Sequence, residues 1–221
     1  MKKLIGLVVL VACAPAFGAD NVSDLPLRRA GNESGVLRVL APAGTASFCR
    51  DQPSVAQAVQ AHVHGSQQLR LLECFVPPSV LKTEGTRTQL QPLYTVSVHP
   101  ATLDWNMPVK DFESIVGPPM SSDPIEEIAP AGGALKKTVT QWVTPAGGRK
   151  FMDCRRIAKT HEYDGKLVEN KAFTCARYLH IQGWAIVLGL LDEQGGDVET
   201  RLPATLEAWA TKFAAANAPK K

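Results

Sequence analysis

The sequence predicts an α+β fold, an antiparallel sheet ending in a four-strand meander and flanked by helices. Three observations carry that prediction. Strand-length apolar or alternating runs between Thr138 and Leu191 are separated by turn signals at Pro145-Ala146-Gly147-Gly148, Asp164-Gly165 and Gln182-Gly183. Leu202, Leu206, Trp209 and Phe213 then recur on one helical stripe. Of five cysteines, Cys13 falls in a leader-like start and the other four form an even set.

Residues 1–18 read as an export signal, with Lys2-Lys3, an apolar stretch from Leu4 to Ala12 and a small-residue exit at Ala14 to Gly18. An alternative cut uses Leu10-Val11-Ala12-Cys13, which resembles a bacterial lipobox. It would make 1–12 the signal and Cys13 a lipidated first residue that holds the protein on a membrane. Residues 19–35 read as a flexible segment, 36–217 as one domain and 218–221 as a disordered tail.

Within the domain, Val36 to Leu40 predicts a strand. Gln52 or Asp51 opens a helix with Pro53 near its start and Val55, Ala56, Val59 and Val63 on one stripe, ended by Gly65. Leu69 to Val76 is a dense apolar run that predicts a central strand, closed by Pro77-Pro78. Leu93 to Val98 alternates and predicts another. Pro108 near the start of a short helix is followed by Val109, Phe112 and Ile115. Residues 117–136, rich in Pro, Gly and Ser, predict a long surface loop.

The meander follows. Thr138 to Val143 pairs with Phe151 to Ala158, a register that sets Trp142 opposite Phe151. Strands over 151–163 and 166–181 flank the Asp164-Gly165 hairpin, and Trp184 to Leu191, apolar throughout, predicts a strand buried on both faces. The last helix spans about Thr200 to Ala216. A two-residue turn at Asp164-Gly165 sets Cys154 directly opposite Cys175 in a non-hydrogen-bonded pair. Cα atoms there lie about 4.5 Å apart, within disulfide reach. The prediction is therefore Cys154–Cys175, with Cys49–Cys74 by elimination.

This element order is loosely similar to the Mog1/PsbP-like α/β/α sandwich, in which a meander leads into a C-terminal helix. The resemblance covers about residues 36–216 and carries no signature residues. It implies a binding or accessory role by analogy of fold alone.

Composition narrows the function. Lys and Arg number 24 against 21 Asp and Glu, two of the lysines lie in the leader, and no basic run occurs, which argues against nucleic acid as a partner. No second apolar run is long enough for a transmembrane helix. His62 and His64 could chelate a metal from a strand, where i and i+2 share a face. In the helix expected here they point apart. The repeated Pro-Ala-Gly-Gly at 130–133 and 145–148 leads toward strands, so it reads as turn chemistry and not a phosphate cradle. Arg156 is expected opposite Phe173 in a surface cation–π contact. No catalytic residue and no cofactor is assigned. Trp105, between a strand and a helix, is the candidate contact residue, together with the 117–136 loop.

The expectation is an exported, disulfide-braced cell-envelope protein, periplasmic or secreted, that binds another envelope or secreted protein as an accessory or inhibitor module. Two alternatives stand beside it. One is a secreted hydrolase or metal-dependent enzyme assembled in space from His62, His64, His99 or His180. The other is a carrier of a small apolar ligand or lipid.

Overall fold

The Asp164-Gly165 turn organises the longest ladder of the molecule. Both residues have positive φ (50° and 72°), the backbone of a two-residue hairpin loop, and the strands on either side pair without a slip from Tyr163↔Lys166 to Met152↔Arg177. The computed structural model describes residues 22–28, 34–50, 52–64, 69–80, 92–116, 122–129, 133–145 and 147–219. The expected export signal and the candidate lipidation residue Cys13 lie outside these described residues.

In chain order the elements are β1 (Val22–Arg28), β2 (Ser34–Leu40), β3 (Ala46–Ser47), α1 (Pro53–His64), β4 (Arg70–Val76), β5 (Leu93–Val98), α2 (Ala101–Asp104), α3 (Val109–Ile115), β6 (Ile125–Ile128), β7 (Leu135–Val143), β8 (Met152–Tyr163), β9 (Lys166–Ile181), β10 (Trp184–Glu193) and α4 (Val198–Ala216). Eight of the strands form one antiparallel sheet in the order β3-β4-β5-β10-β9-β8-β7-β6, while β1 and β2 form a separate antiparallel ribbon. The last four strands of the sheet in sequence, β7 to β10, are the predicted meander.

One face of the sheet carries the main core. Trp184, Ile186, Leu188 and Leu190 of β10 and Phe173 and Cys175 of β9 project from alternate positions onto Leu202, Leu206, Trp209 and Phe213 of α4, the predicted helical stripe. Each of these large side chains stabilises the fold by about 2 kcal/mol through removal from water. The β1–β2 ribbon adds Leu27, Leu37, Val39 and Leu40 to the same core, beside Phe75, Val96 and Val98 of β4 and β5. It is fastened by polar bonds as well. Trp209 Nε1 donates to the Leu40 carbonyl (2.9 Å), and the Asn217 amide bonds both backbone groups of Arg38, accepting at 2.8 Å and donating at 2.9 Å.

Two smaller clusters sit apart from this core. One gathers Cys49, Val59, Cys74, Val76 and Leu93 with Val55 and Ala56 of α1. Gln60 of α1 holds it to β4, donating to the Leu69 carbonyl and accepting from the Leu71 amide. The other packs Met107 and Phe112 against Ala185, Phe151 and Tyr178.

Several expectations need correction. Residues 22–28, expected in a flexible segment, form β1, whose Leu27 is buried in the core. The apolar run at 69–76 is not central: β4 has only the two-residue β3 beyond it, and β9 and β10 occupy the middle. Its density of apolar residues reflects two cores, with Phe75 serving one and Cys74 and Val76 the other. The span 117–136 is not all loop, because it contains β6 and the start of β7. The β7–β8 register also differs, with Trp142 opposite Arg155 and Val143 opposite Cys154. Phe151 takes a positive φ of 57° and leaves the β7 ladder, and its ring packs on Phe112 at 5.5 Å.

Candidate functional site

The β8–β9 ladder positions most of the polar side chains of interest, because alternate residues serve opposite faces. Cys154 and Cys175 lie on the α4 side and form a disulfide with Cα atoms 4.1 Å apart, as the hairpin predicted. The second disulfide joins Cys49 and Cys74, 5.2 Å apart at Cα. On the same side Arg156 makes a two-toothed ion pair with Glu199 of α4, both contacts 2.6 Å. That pair, and not a cation–π contact with the buried Phe173, accounts for Arg156. It holds the Glu199 carboxyl below its ordinary range. Arg177 fastens α4 about two turns further on, through Glu207 at 2.9 Å, and also donates to the Phe151 and Tyr178 carbonyls.

On the opposite face β7, β8 and β9 present a half-buried polar group. Arg155 lies over the Trp142 ring, 5.3 Å from its centroid. The Tyr178 hydroxyl donates to Asp153 Oδ2 at 2.8 Å. Burial raises the Asp153 carboxyl, although the Tyr178 bond and the charge of Arg155 pull it back. Burial, and then the charge of Asp153, push the Tyr178 phenol far above its ordinary value. Lys159, one strand repeat beyond Ile157, is lowered first by burial and then by Arg155. The Tyr178–Asp153 bond and the Arg155–Trp142 contact tie β7, β8 and β9 together on this face, while Arg155 and Lys159 repel one another.

The remaining notable surface is apolar. Beyond Ala172, whose partner is the last residue of β10, the Lys171 carbonyl still accepts from the Gln194 amide, and among the described residues 166–170 of β9 pair with β8 alone. This makes an arm that projects past the main core. It exposes Leu167 (69 %) and Val168 at the hairpin tip, and β6 at the sheet edge exposes Ile128 (80 %) and Ile125. Sequence reading missed β6 because its glutamates look solvated. The signal that could have found it is the pair of β-branched residues framing Glu126 and Glu127 after Pro124.

Trp105 is the C-cap residue of α2 and is 44 % exposed, with Val109 of α3 also exposed. The structure leaves it on its own surface, away from the arm. His62 and His64 lie in the last turn of α1, and their side chains are outside the described residues. His180 contacts the Met107 carbonyl at 2.7 Å and packs its ring on Phe112, while His161 stacks on Tyr163. Among the described residues no group of three or more His, Cys, Asp or Glu is placed to hold a metal ion, and no helix is long and apolar enough to cross a membrane. The two disulfides fit an exported protein in an oxidising compartment. No protein-family model, curated protein or solved structure matches the chain. The resemblance to Mog1/PsbP-like folds accordingly rests on element order alone.

Proposed function

We propose that this is an exported, non-enzymatic binding module of the cell envelope that acts by contact with another protein. The observation that carries the proposal is the overhanging arm. A chain of this size that could fold its apolar residues inward instead holds Leu167 at the tip of a disulfide-clamped hairpin, in solvent. Such side chains on a projecting, braced ladder suit partner recognition, because the clamp limits the entropy lost on binding. A periplasmic or secreted location suits the leader and the disulfides alike. The carrier alternative asks for a cavity between sheet and helix. Against it, Trp184, Phe173, Leu202, Leu206 and Phe213 fill that layer.

Site-specific photo-crosslinking in the native envelope tests the proposal. A photoreactive residue at Leu167 should trap a discrete partner, whereas one at exposed Lys212 on α4 should not. Equal adducts at both positions, or none at either, would overturn the reading.

A further inference from the structure

The free edge of the sheet carries a more specific message than the arm as a whole. All four residues of β6 are exposed, and among the described residues β6 pairs with β7 alone. The Ala129 amide donates to the Lys136 carbonyl at 2.9 Å, which fixes the phase of the ladder. In an antiparallel pair, backbone groups alternate between inward and outward. The N–H and C=O of Ile125 and Glu127 therefore serve β7, and those of Glu126 and Ile128 point to the open edge. A further strand could be received there.

Side chains and charge restrict what that strand is. Glu126 is paired with Lys137 at 2.8 Å, while Glu127 has no ion pair among the described residues. Ile125 and Glu127 share one face of the strand, and Glu126 and Ile128 the other. A second copy of the chain is a poor occupant. It offers only the same outward groups, so the antiparallel registers that overlap three residues set Glu126 opposite Glu126 or Glu127 opposite Glu127 of the other copy. Like charges directly across a ladder are destabilising. Glu127, left without an ion pair among the described residues, favours a basic partner.

Resting on the contact reading above, we propose that β6 receives an extended segment of another protein as a ninth strand. The segment has the pattern apolar–basic–any–apolar, antiparallel to β6. Its apolar residues lie beside Ile128 and Ile125, and its Lys or Arg lies beside Glu127. Main-chain bonds to Glu126 and Ile128 supply attachment, and the basic residue supplies selectivity.

The test is a nuclear magnetic resonance titration of the isotope-labelled mature protein with two capped peptides, Ser-Val-Lys-Thr-Val-Ser and Ser-Val-Glu-Thr-Val-Ser. The lysine peptide should shift the amides of β6 and its β7 neighbours, and the glutamate peptide should bind about fivefold more weakly, the effect of one cross-strand charge pair turned repulsive. Glu127→Lys should reverse the preference. Ile128→Pro should abolish binding of either peptide while keeping the β7 ladder, because it removes an outward N–H. Equal shifts with both peptides, shifts confined to other elements, or none at millimolar peptide would overturn the proposal. The contact reading fails separately. A partner trapped at Leu167 keeps that reading even if β6 takes no peptide, and the titration reads β6 whatever Leu167 traps.

Discussion

Cys154 and Cys175 face each other across the β8–β9 ladder with Cα atoms 4.1 Å apart, both side chains essentially fully buried beneath α4. The bond closes a loop of 21 residues, for which the chain-entropy argument gives about 3 kcal/mol. Replacing both cysteines by serine adds two buried hydroxyls, so the loss should reach at least that value. Urea unfolding of the double variant measures it. A loss below about 1 kcal/mol would mean that the hairpin is already ordered in the unfolded chain.

Glu73 is a buried carboxylate at the bulge of β4, held by the Arg50 guanidinium at 3.2 Å and by the amides of Cys74 and Arg50. Removing the guanidinium strands part of that charge beside the Cys49–Cys74 bond. Arg50→Ala should therefore cost about 2 kcal/mol, and Glu73→Gln paired with Arg50→Ala should cost less than Arg50→Ala alone. Denaturant midpoints of the single and double variants make the comparison, and additive losses would show that the two residues do not act as a pair.

The hairpin was legible because one turn dipeptide fixes every pair in a ladder with period 2, so residue numbers alone brought Cys154 to Cys175. The β7–β8 hairpin before it differs from the expected register because Phe151 leaves the ladder in a left-handed conformation to reach Phe112, a contact between segments far apart in sequence. For the same reason Arg156 was matched to Phe173. Its register was right, but the decisive partner, Glu199, lies on α4, and helix docking is invisible to strand pairing. The β6 edge was lost for a different cause. Four exposed residues have no burial pattern, and only pairing with Lys137 to Thr140 reveals them as a strand. Residues 22–28 were hidden because Asp24, Pro26 and Arg28 interrupt the strand signal, whereas Leu27 finds its core only through β2 and α4.

Two carboxylates on opposite faces of the β8–β9 region should give opposite pH signatures. Glu199 is held down by Arg156, so its contribution is present above the unfolded carboxylate range and is lost as pH falls through the lower folded value. Glu199→Gln should therefore destabilise the protein at pH 7, by less than about 1 kcal/mol at this half-exposed site, and the difference should vanish toward pH 3. Asp153 is shifted up by burial, so stability falls as pH rises from its unfolded value through the folded one. Asp153→Asn keeps an oxygen acceptor for Tyr178 and should match or exceed the parent stability at pH 7. Thermal unfolding from pH 3 to 7 reads both, and a loss for Asp153→Asn at pH 7 would show that the charged form is the stabilising one.

Gly189 in β10 lies directly opposite Thr95 of β5, and the ladder admits Thr95 only because Gly189 has no side chain. A Cβ placed there would come within 2.4 Å of the Thr95 hydroxyl oxygen, which is buried and has no hydrogen-bond partner among the described residues. Gly189→Ala should consequently destabilise the fold by about 1–3 kcal/mol through overpacking in the middle of the sheet. Thr95→Ala removes both the obstructing hydroxyl and its unpaired polar atom, so it should be far milder than an ordinary core truncation. The two changes together should recover at least half the cost of Gly189→Ala, a coupling that a double-mutant cycle of unfolding free energies measures directly. If the double variant simply adds the two losses, the strain lies in the β10 backbone and not in the meeting of these two side chains.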